Sequence, residues 1–233
     1  MKVSILVLFL YSMKKLIVFH LLLFCFGFNY IFGLESKEKI NVTIIPSGNI
    51  RNTDIMFVQK TLRNFYNADV VVSHTKSNFK FCKIKNSNKY DAGCILSSHD
   101  HLKIPKNGKI LILTDRNIST NRNLNGVTHK NWSIFGLGRI NGKSCVVSTY
   151  KIKTRSTLAK VSIHEIGHTL GLNHCDDNLC VMTDAKGRGS RIYRNSGKLC
   201  TKCIKNLKGV KKMAAEIITK PSGLRDYWKR GSR

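Results

Sequence analysis

The stretch His164-Glu165-Ile166-Gly167-His168-Thr169-Leu170-Gly171-Leu172-Asn173-His174 places three histidines within eleven residues. A helix is predicted from about Ser156 to Leu170, so His164 and His168, four apart, leave the same face one turn from each other and can bind a single ion. A third histidine six residues further on cannot reach that ion along a straight helix. The chain must turn, and Gly171 is the residue able to take the left-handed conformation that allows it.

Three neutral imidazoles leave a fourth position open on a zinc ion, the feature that separates a catalytic site from a closed structural one. Such an ion lowers the pKa of water from 15.7 to about 7 and polarises carbonyl oxygens. Glu165 lies beside the first histidine and is not needed as a ligand, which suits a general base that takes a proton from water and returns it to a leaving amine. Peptide-bond hydrolysis is the reaction this set implies. A bare His-Glu-x-x-His also arises on helices that bind no metal; the offsets of Gly171 and His174 distinguish this one. His20, His74, His99, His101 and His129 have no such partners and read as ordinary surface or core histidines.

Directly after His174 come Cys175, Cys180 and Met182, and then Cys200-Thr201-Lys202-Cys203. Two short-spaced cysteine pairs separated by a loop form a tetrathiolate zinc signature. One backbone step joins the two candidate sites, so an ion on the cysteines would also hold His174 in place. A structural zinc contributes on the order of 10 kcal/mol to folding, more than a small carboxy-terminal subdomain can draw from its own core. Outside this set and the N-terminal Cys25, Cys82, Cys94 and Cys145 are odd in number and cannot all pair with one another; they are expected as small buried hydrophobes.

At these residues the chain resembles the archaemetzincins, whose three histidines, adjoining cysteine, second cysteine, methionine and closing C-x-x-C are matched from Val161 to Cys203 without a gap. Tyr90-Asp91-Ala92, Thr114-Asp115, Ile134-Phe135-Gly136 and Val146-Val147-Ser148 extend the resemblance over most of residues 38–215. It implies two zinc ions per chain, a catalytic one on His164, His168 and His174 and a structural one on Cys175, Cys180, Cys200 and Cys203. It further implies Met182 as a Met-turn beneath the histidines, as in metzincins, and peptide or protein substrates, with an aminopeptidase-like mode among the expectations. The chain departs from other metzincins in having no tyrosine two residues after Met182, which leaves the group assisting the transition state unassigned.

The expected fold is α/β (α+β): a metzincin-like catalytic domain with a mixed twisted sheet, an active-site helix and a zinc-stapled carboxy-terminal subdomain. Ile40–Ile45, Asp69–Ser73 and Lys109–Thr114 read as strands and Asp54–Tyr66 as a helix. Tyr90–Leu96 reads as helical, and Trp132–Gly138 and Ser144–Thr149 as strands joined through Asn141-Gly142. Cys203–Ile218 has the spacing of a closing helix, and segments such as Asn117–Lys130 read as loops that shape the cleft. The expected organisation is a leader at 1–34 and a catalytic domain at 35–233, divided into 35–172 with the active-site helix and 173–233 with the Met-turn and cysteine site.

Residues 16–28 are almost wholly apolar and follow Lys14-Lys15, the layout of a signal peptide or membrane anchor, with Met13 as an alternative start. Both readings stay open: cleavage after Gly33 with export, or membrane association through residues 16–34, which approach the roughly 20 residues that span a bilayer. If the segment is neither, an intracellular protein is expected. Sequons at Asn41, Asn117 and Asn131 matter only in a eukaryotic secretory route.

The formal charge is +27, and removing Lys2, Lys14 and Lys15 with residues 1–34 leaves +24. That charge invites acidic partners, yet no interleaving of aromatic and basic residues suits base stacking, so no specific nucleic-acid partner is expected. Two alternatives accompany the peptidase: a basic zinc-binding nucleic-acid module and a pseudoenzyme stapled by zinc. A monomer is expected.

Overall fold

The computed structural model describes residues 39–75, 77–105, 107–185 and 189–207. The expected leader at 1–34 and residues 208–218 of the expected closing helix lie outside them. Among the described residues no helix is long and apolar enough to cross a membrane.

The central sheet has the order β2-β1-β4-β8-β7, formed by β1 (Asn41–Ser47), β2 (Asp69–Val72), β4 (Gly108–Thr114), β7 (Gly136–Gly138) and β8 (Ser144–Ser148). All its pairings are parallel except the edge pair β7–β8, giving the expected mixed sheet. Its inner strand β4 and the neighbouring β8 are buried on both faces, which explains the unbroken apolar run Ile110–Leu113. Val42, Ile44, Leu111, Leu113 and Val147 point into one apolar cluster, and Ile45, Ile110, Ile112 and Val146 into another.

The first cluster is closed by α1 (Asn52–Tyr66) and α3 (Arg155–Thr169), the predicted active-site helix. Ile55, Val58, Leu62 and Phe65 of α1 meet Leu158, Val161 and Ile166 of α3, and the buried Tyr66 hydroxyl donates to the Ile163 carbonyl at 2.7 Å. The second cluster is closed by α2 (Ala92–Ser97) and by Ile118 of β5 (Asn117–Leu124). Two short helices, α4 (Gly189–Arg194) and α5 (Thr201–Asn206), lie in the carboxy-terminal region.

Four expectations change. Tyr90 and Asp91 belong to β3 (Lys89–Asp91), and the Asp91 carboxylate caps α2 by accepting from the Cys94 N–H at 2.8 Å, so the helix begins only at Ala92. Trp132 and Ser133 end β6 (Val127–Ser133), so the strand expected over Trp132–Gly138 divides between two sheets; the hairpin through Asn141-Gly142 links β7 to β8 as predicted. Asn117–Lys130 is not loop but β5 (Asn117–Leu124) turning into β6 through Asn125-Gly126, both with positive φ. That backbone suits the two-residue hairpin turn that Asn-Gly favours. Cys82 and Cys94 form a disulfide rather than lying as free buried thiols, whereas Cys145 is free and fully buried. Of the sequons, Asn41 is paired on both sides within the sheet and Asn117 is buried.

The Tyr66 hydroxyl joins α1 to α3, so Tyr66→Phe should lower the unfolding free energy by about 1 kcal/mol. Urea denaturation should report this as a lower midpoint with an unchanged slope; an unchanged midpoint would show that the bond does not link the two helices energetically.

Candidate functional site

Helix α3 is buried on almost every side, an unusual setting for a segment carrying Lys160, His164, Glu165 and His168. Thr154 starts it, its hydroxyl accepting from the Thr157 N–H. Its end is set by Gly171, with φ at +93°. The Gly171 N–H donates to the His168 carbonyl at 2.9 Å and the Leu172 N–H to the Gly167 carbonyl at 3.0 Å, the paired bonds of a Schellman cap. The reversal aims the Leu172 carbonyl back at the helix, where it accepts from His168 Nδ1 at 2.7 Å.

His164 Nδ1 donates in the same way to the Val181 carbonyl at 2.8 Å. With both Nδ1 protons committed to carbonyls, both Nε2 atoms carry lone pairs, and these face each other 3.0 Å apart. Two acceptors at that distance repel unless a cation lies between them. His174 completes the group, a nitrogen from each of the three rings lying within 4.8 Å of the others. Zinc–nitrogen bonds of about 2.0–2.1 Å in a tetrahedron put neighbouring nitrogens about 3.3 Å apart, so the set fits one ion. Burial lowers His164 to about 3, with His168 adding to the shift, and lowers His168 to about 4, so both rings are neutral as ligation requires.

Glu165 is 6 % exposed. Burial raises its pKa to about 8, against the opposing pull of the Gly138 N–H that donates to it. Strand β7 lies hard against the helix here: a Cβ on Gly138 would stand 2.5 Å from the Glu165 carbonyl oxygen and 3.1 Å from His168 Cβ. The sequence offered only the spacing Gly136-Leu137-Gly138 as a signal for this contact.

The sulfurs of Cys175, Cys180, Cys200 and Cys203 also lie within 4.8 Å of one another. Cys175–Cys200 and Cys180–Cys203 are 3.6 and 3.7 Å apart, too far for disulfides and close to the roughly 3.8 Å edge of a tetrahedron with arms of about 2.3 Å. Met182 is fully buried between the two groups, its sulfur packed on Gly167 and its carbonyl accepting from the Cys175 N–H at 2.9 Å. The structure thus brings together both sets of ligand candidates named from the sequence.

A cleft of about 1470 Å³ opens over the histidines and Glu165. Its lining includes Arg122 and His129, from the segment 117–130 expected from the sequence to shape the cleft, with His129 lying there rather than as an ordinary surface or core histidine. Trp132 of β6, Asp184 after the Met182 turn and Lys160 also line it, and the sequence gives none of these three a place in the site. Asp184 occupies the position where a tyrosine was sought. Lys160 Nζ donates to the carbonyls of Tyr193 at 3.0 Å and Asn195 at 2.7 Å, pinning the end of α4 to the helix that bears the histidines. His99, by contrast, is buried with Nε2 on the Ser77 hydroxyl and Nδ1 on the Ile95 carbonyl, as an ordinary core histidine would be.

Residues 155–209 match the model of Peptidase family M54. An archaemetzincin of Halobacterium salinarum is 26 % identical over 179 residues, covering 70 % of this chain and 97 % of that one. One from Haloquadratum walsbyi is 40 % identical over 65 residues, covering 22 % and 38 %. Among solved structures, the archaemetzincin of Archaeoglobus fulgidus complexed with malonate has a TM-score of 0.59 and 25 % identity, covering 72 % of this chain and 99 % of that chain. That of Methanopyrus kandleri also has a TM-score of 0.59, with 20 % identity, covering 81 % and 99 %.

Gly138→Ala should cost about 1–3 kcal/mol through overpacking against α3, lowering the thermal midpoint and displacing Glu165. A midpoint within experimental error of the parent would show that β7 can retreat without consequence.

Proposed function

The chain belongs to the archaemetzincin family of zinc metallopeptidases, and from that premise we propose that it cleaves peptide bonds with Glu165 as general base and His164, His168 and His174 as zinc ligands. The observation that carries this reading is the pair of facing Nε2 lone pairs at 3.0 Å, with Glu165 beside them in the floor of an open cleft.

Zinc, when bound, supplies a Lewis acid that polarises a carbonyl oxygen and acidifies water. The protein's own contributions follow from its geometry. The Val181 and Leu172 carbonyls fix the tautomers of His164 and His168 and make those rings better electron donors. Glu165, held by the Gly138 N–H, takes a proton from the attacking water and passes it to the leaving amine. Strand β7 is an edge of the sheet and lines the cleft, so an extended substrate can lie along it.

The four cysteines hold a second, structural zinc on this reading. Because Cys175 follows His174 directly and its N–H is bonded to the Met182 carbonyl, that site fixes the approach of the third histidine. An aminopeptidase mode needs a carboxylate for the substrate's terminal ammonium, and among the described residues Asp184 is the one lining carboxylate besides Glu165. Comparing free with N-acetylated peptides separates that mode from internal cleavage. Export is favoured by the apolar run of residues 16–28 together with the Cys82–Cys94 disulfide, a pairing typical of oxidising compartments.

Glu165→Gln should lower kcat by about 10²–10⁴ while zinc content by elemental analysis stays at the parent value; full activity with zinc retained would remove Glu165 as the base. Cys200→Ser should lose one of two zinc ions and unfold at lower temperature, since ligation and folding are linked. Unaltered metal stoichiometry in that variant would contradict the tetrathiolate site.

A further inference from the structure

The hairpin β5–β6 forms part of the cleft that holds Glu165 and the histidines, and its register puts particular side chains there together. Arg122 pairs across the ladder with His129, and Thr120 with Trp132. All four line the cleft, and the His129 and Trp132 rings meet edge to face at 5.4 Å. One Arg122 nitrogen reaches the Asp184 carboxylate at 3.5 Å, which holds the guanidinium close to the Met182 turn. Asp184 is in turn near enough to His164 and His168 for its charge to act on both.

The charges of the lining are unequal. Lys89, Arg122, Lys130, Lys151 and Lys160 stand against Glu165 and Asp184 alone among the described residues. Lys160 is committed to backbone carbonyls and Lys89 to the Asn131 carbonyl at 2.9 Å. The guanidinium of Arg122 differs, because a planar fork of five N–H donors is suited to gripping a carboxylate through two parallel bonds. Its existing partner does not preclude this. The Arg122 and Asp184 side chains are 22 % and 32 % exposed and 3.5 Å apart, and a partly exposed pair of that kind is weak, so a second carboxylate can share the guanidinium.

Resting on the peptidase reading above, we infer that the substrates are peptides bearing a carboxylate near the cleaved bond and that Arg122 recognises it. The carboxylate belongs either to an acidic side chain or to the chain's own C-terminus. Asp184 acts as a positioning residue, keeping the guanidinium turned toward the histidines. His129 and Trp132 give the same wall an aromatic surface against which the substrate backbone packs.

The test uses the zinc-loaded full chain and two peptide pairs, one differing by Glu against Gln beside the cleaved bond and one by a free against an amidated C-terminus. In at least one pair, which thereby identifies the source, kcat/KM should favour the carboxylate peptide about tenfold, through KM more than kcat. The preference should shrink as ionic strength rises. Arg122→Gln should bring the ratio near one, and Arg122→Lys should restore part of it. Lys85→Gln, which removes an equal charge at an exposed site away from the cleft, should leave the ratio as in the parent. Direct binding of the preferred peptide to the Glu165→Gln protein, followed by tryptophan fluorescence, should show the same order among the Arg122 variants.

Ratios near one in both pairs, alongside brisk cleavage of an unbiased peptide library, would overturn the inference and leave the peptidase intact. A loss of preference in Lys85→Gln equal to that in Arg122→Gln would also overturn it, assigning the effect to the basicity of the whole chain. Failure to cleave or bind any peptide would bring down the underlying reading and the inference with it.

Discussion

Two imidazole lone pairs held 3.0 Å apart, each fixed by a backbone carbonyl behind its ring, are the constraint from which the rest of this molecule can be understood. Neither ring can relieve the repulsion by rotating without breaking its hydrogen bond to a backbone carbonyl. The Leu172 carbonyl is available only because Gly171 reverses the chain, and the Val181 carbonyl only because the segment around Met182 passes beneath the helix. The fold gathers the donor atoms around one point, so the energy of ligation becomes energy of folding.

The carboxy-terminal region depends on the same principle. Its described helices have six residues each, too short to be stable alone, and its few apolar groups join the core beneath α3 rather than forming another. On the proposed reading, an ion held by the four cysteines supplies what the core does not. With His174 and Cys175 adjacent, strain at one set of ligands is transmitted to the other through a single peptide unit. Lys160 adds a second tie, holding the end of α4 to the face of the helix one turn before His164.

The site was more legible in the sequence than the cleft around it. Ligand spacing is local: the separation of His164 from His168, the glycine before His174 and the paired cysteines can be read because helix and turn geometry act over a few residues. The parallel strands were legible for a similar reason, since burial on both faces demands unbroken apolar runs such as Ile110–Leu113. The β5–β6 hairpin was not. Arg122, His129 and Lys130 lie in strands that are polar along most of their length, so no hydrophobic period marked them, and Leu124 and Val127 beside the Asn125-Gly126 turn are not continued by any apolar alternation. The Cys82–Cys94 disulfide depends on how the turn Lys80–Cys82 and α2, on either side of β3, are brought together, which spacing alone does not encode.

The most direct measurement is an anomalous-difference map recorded at the zinc absorption edge from crystals of this protein. The account predicts one peak about 2.0–2.1 Å from a ring nitrogen of each of His164, His168 and His174, and another about 2.3 Å from the four cysteine sulfurs. Absence of density between the rings, with His164 turned so that one Nε2 donates a proton to the other, would contradict it.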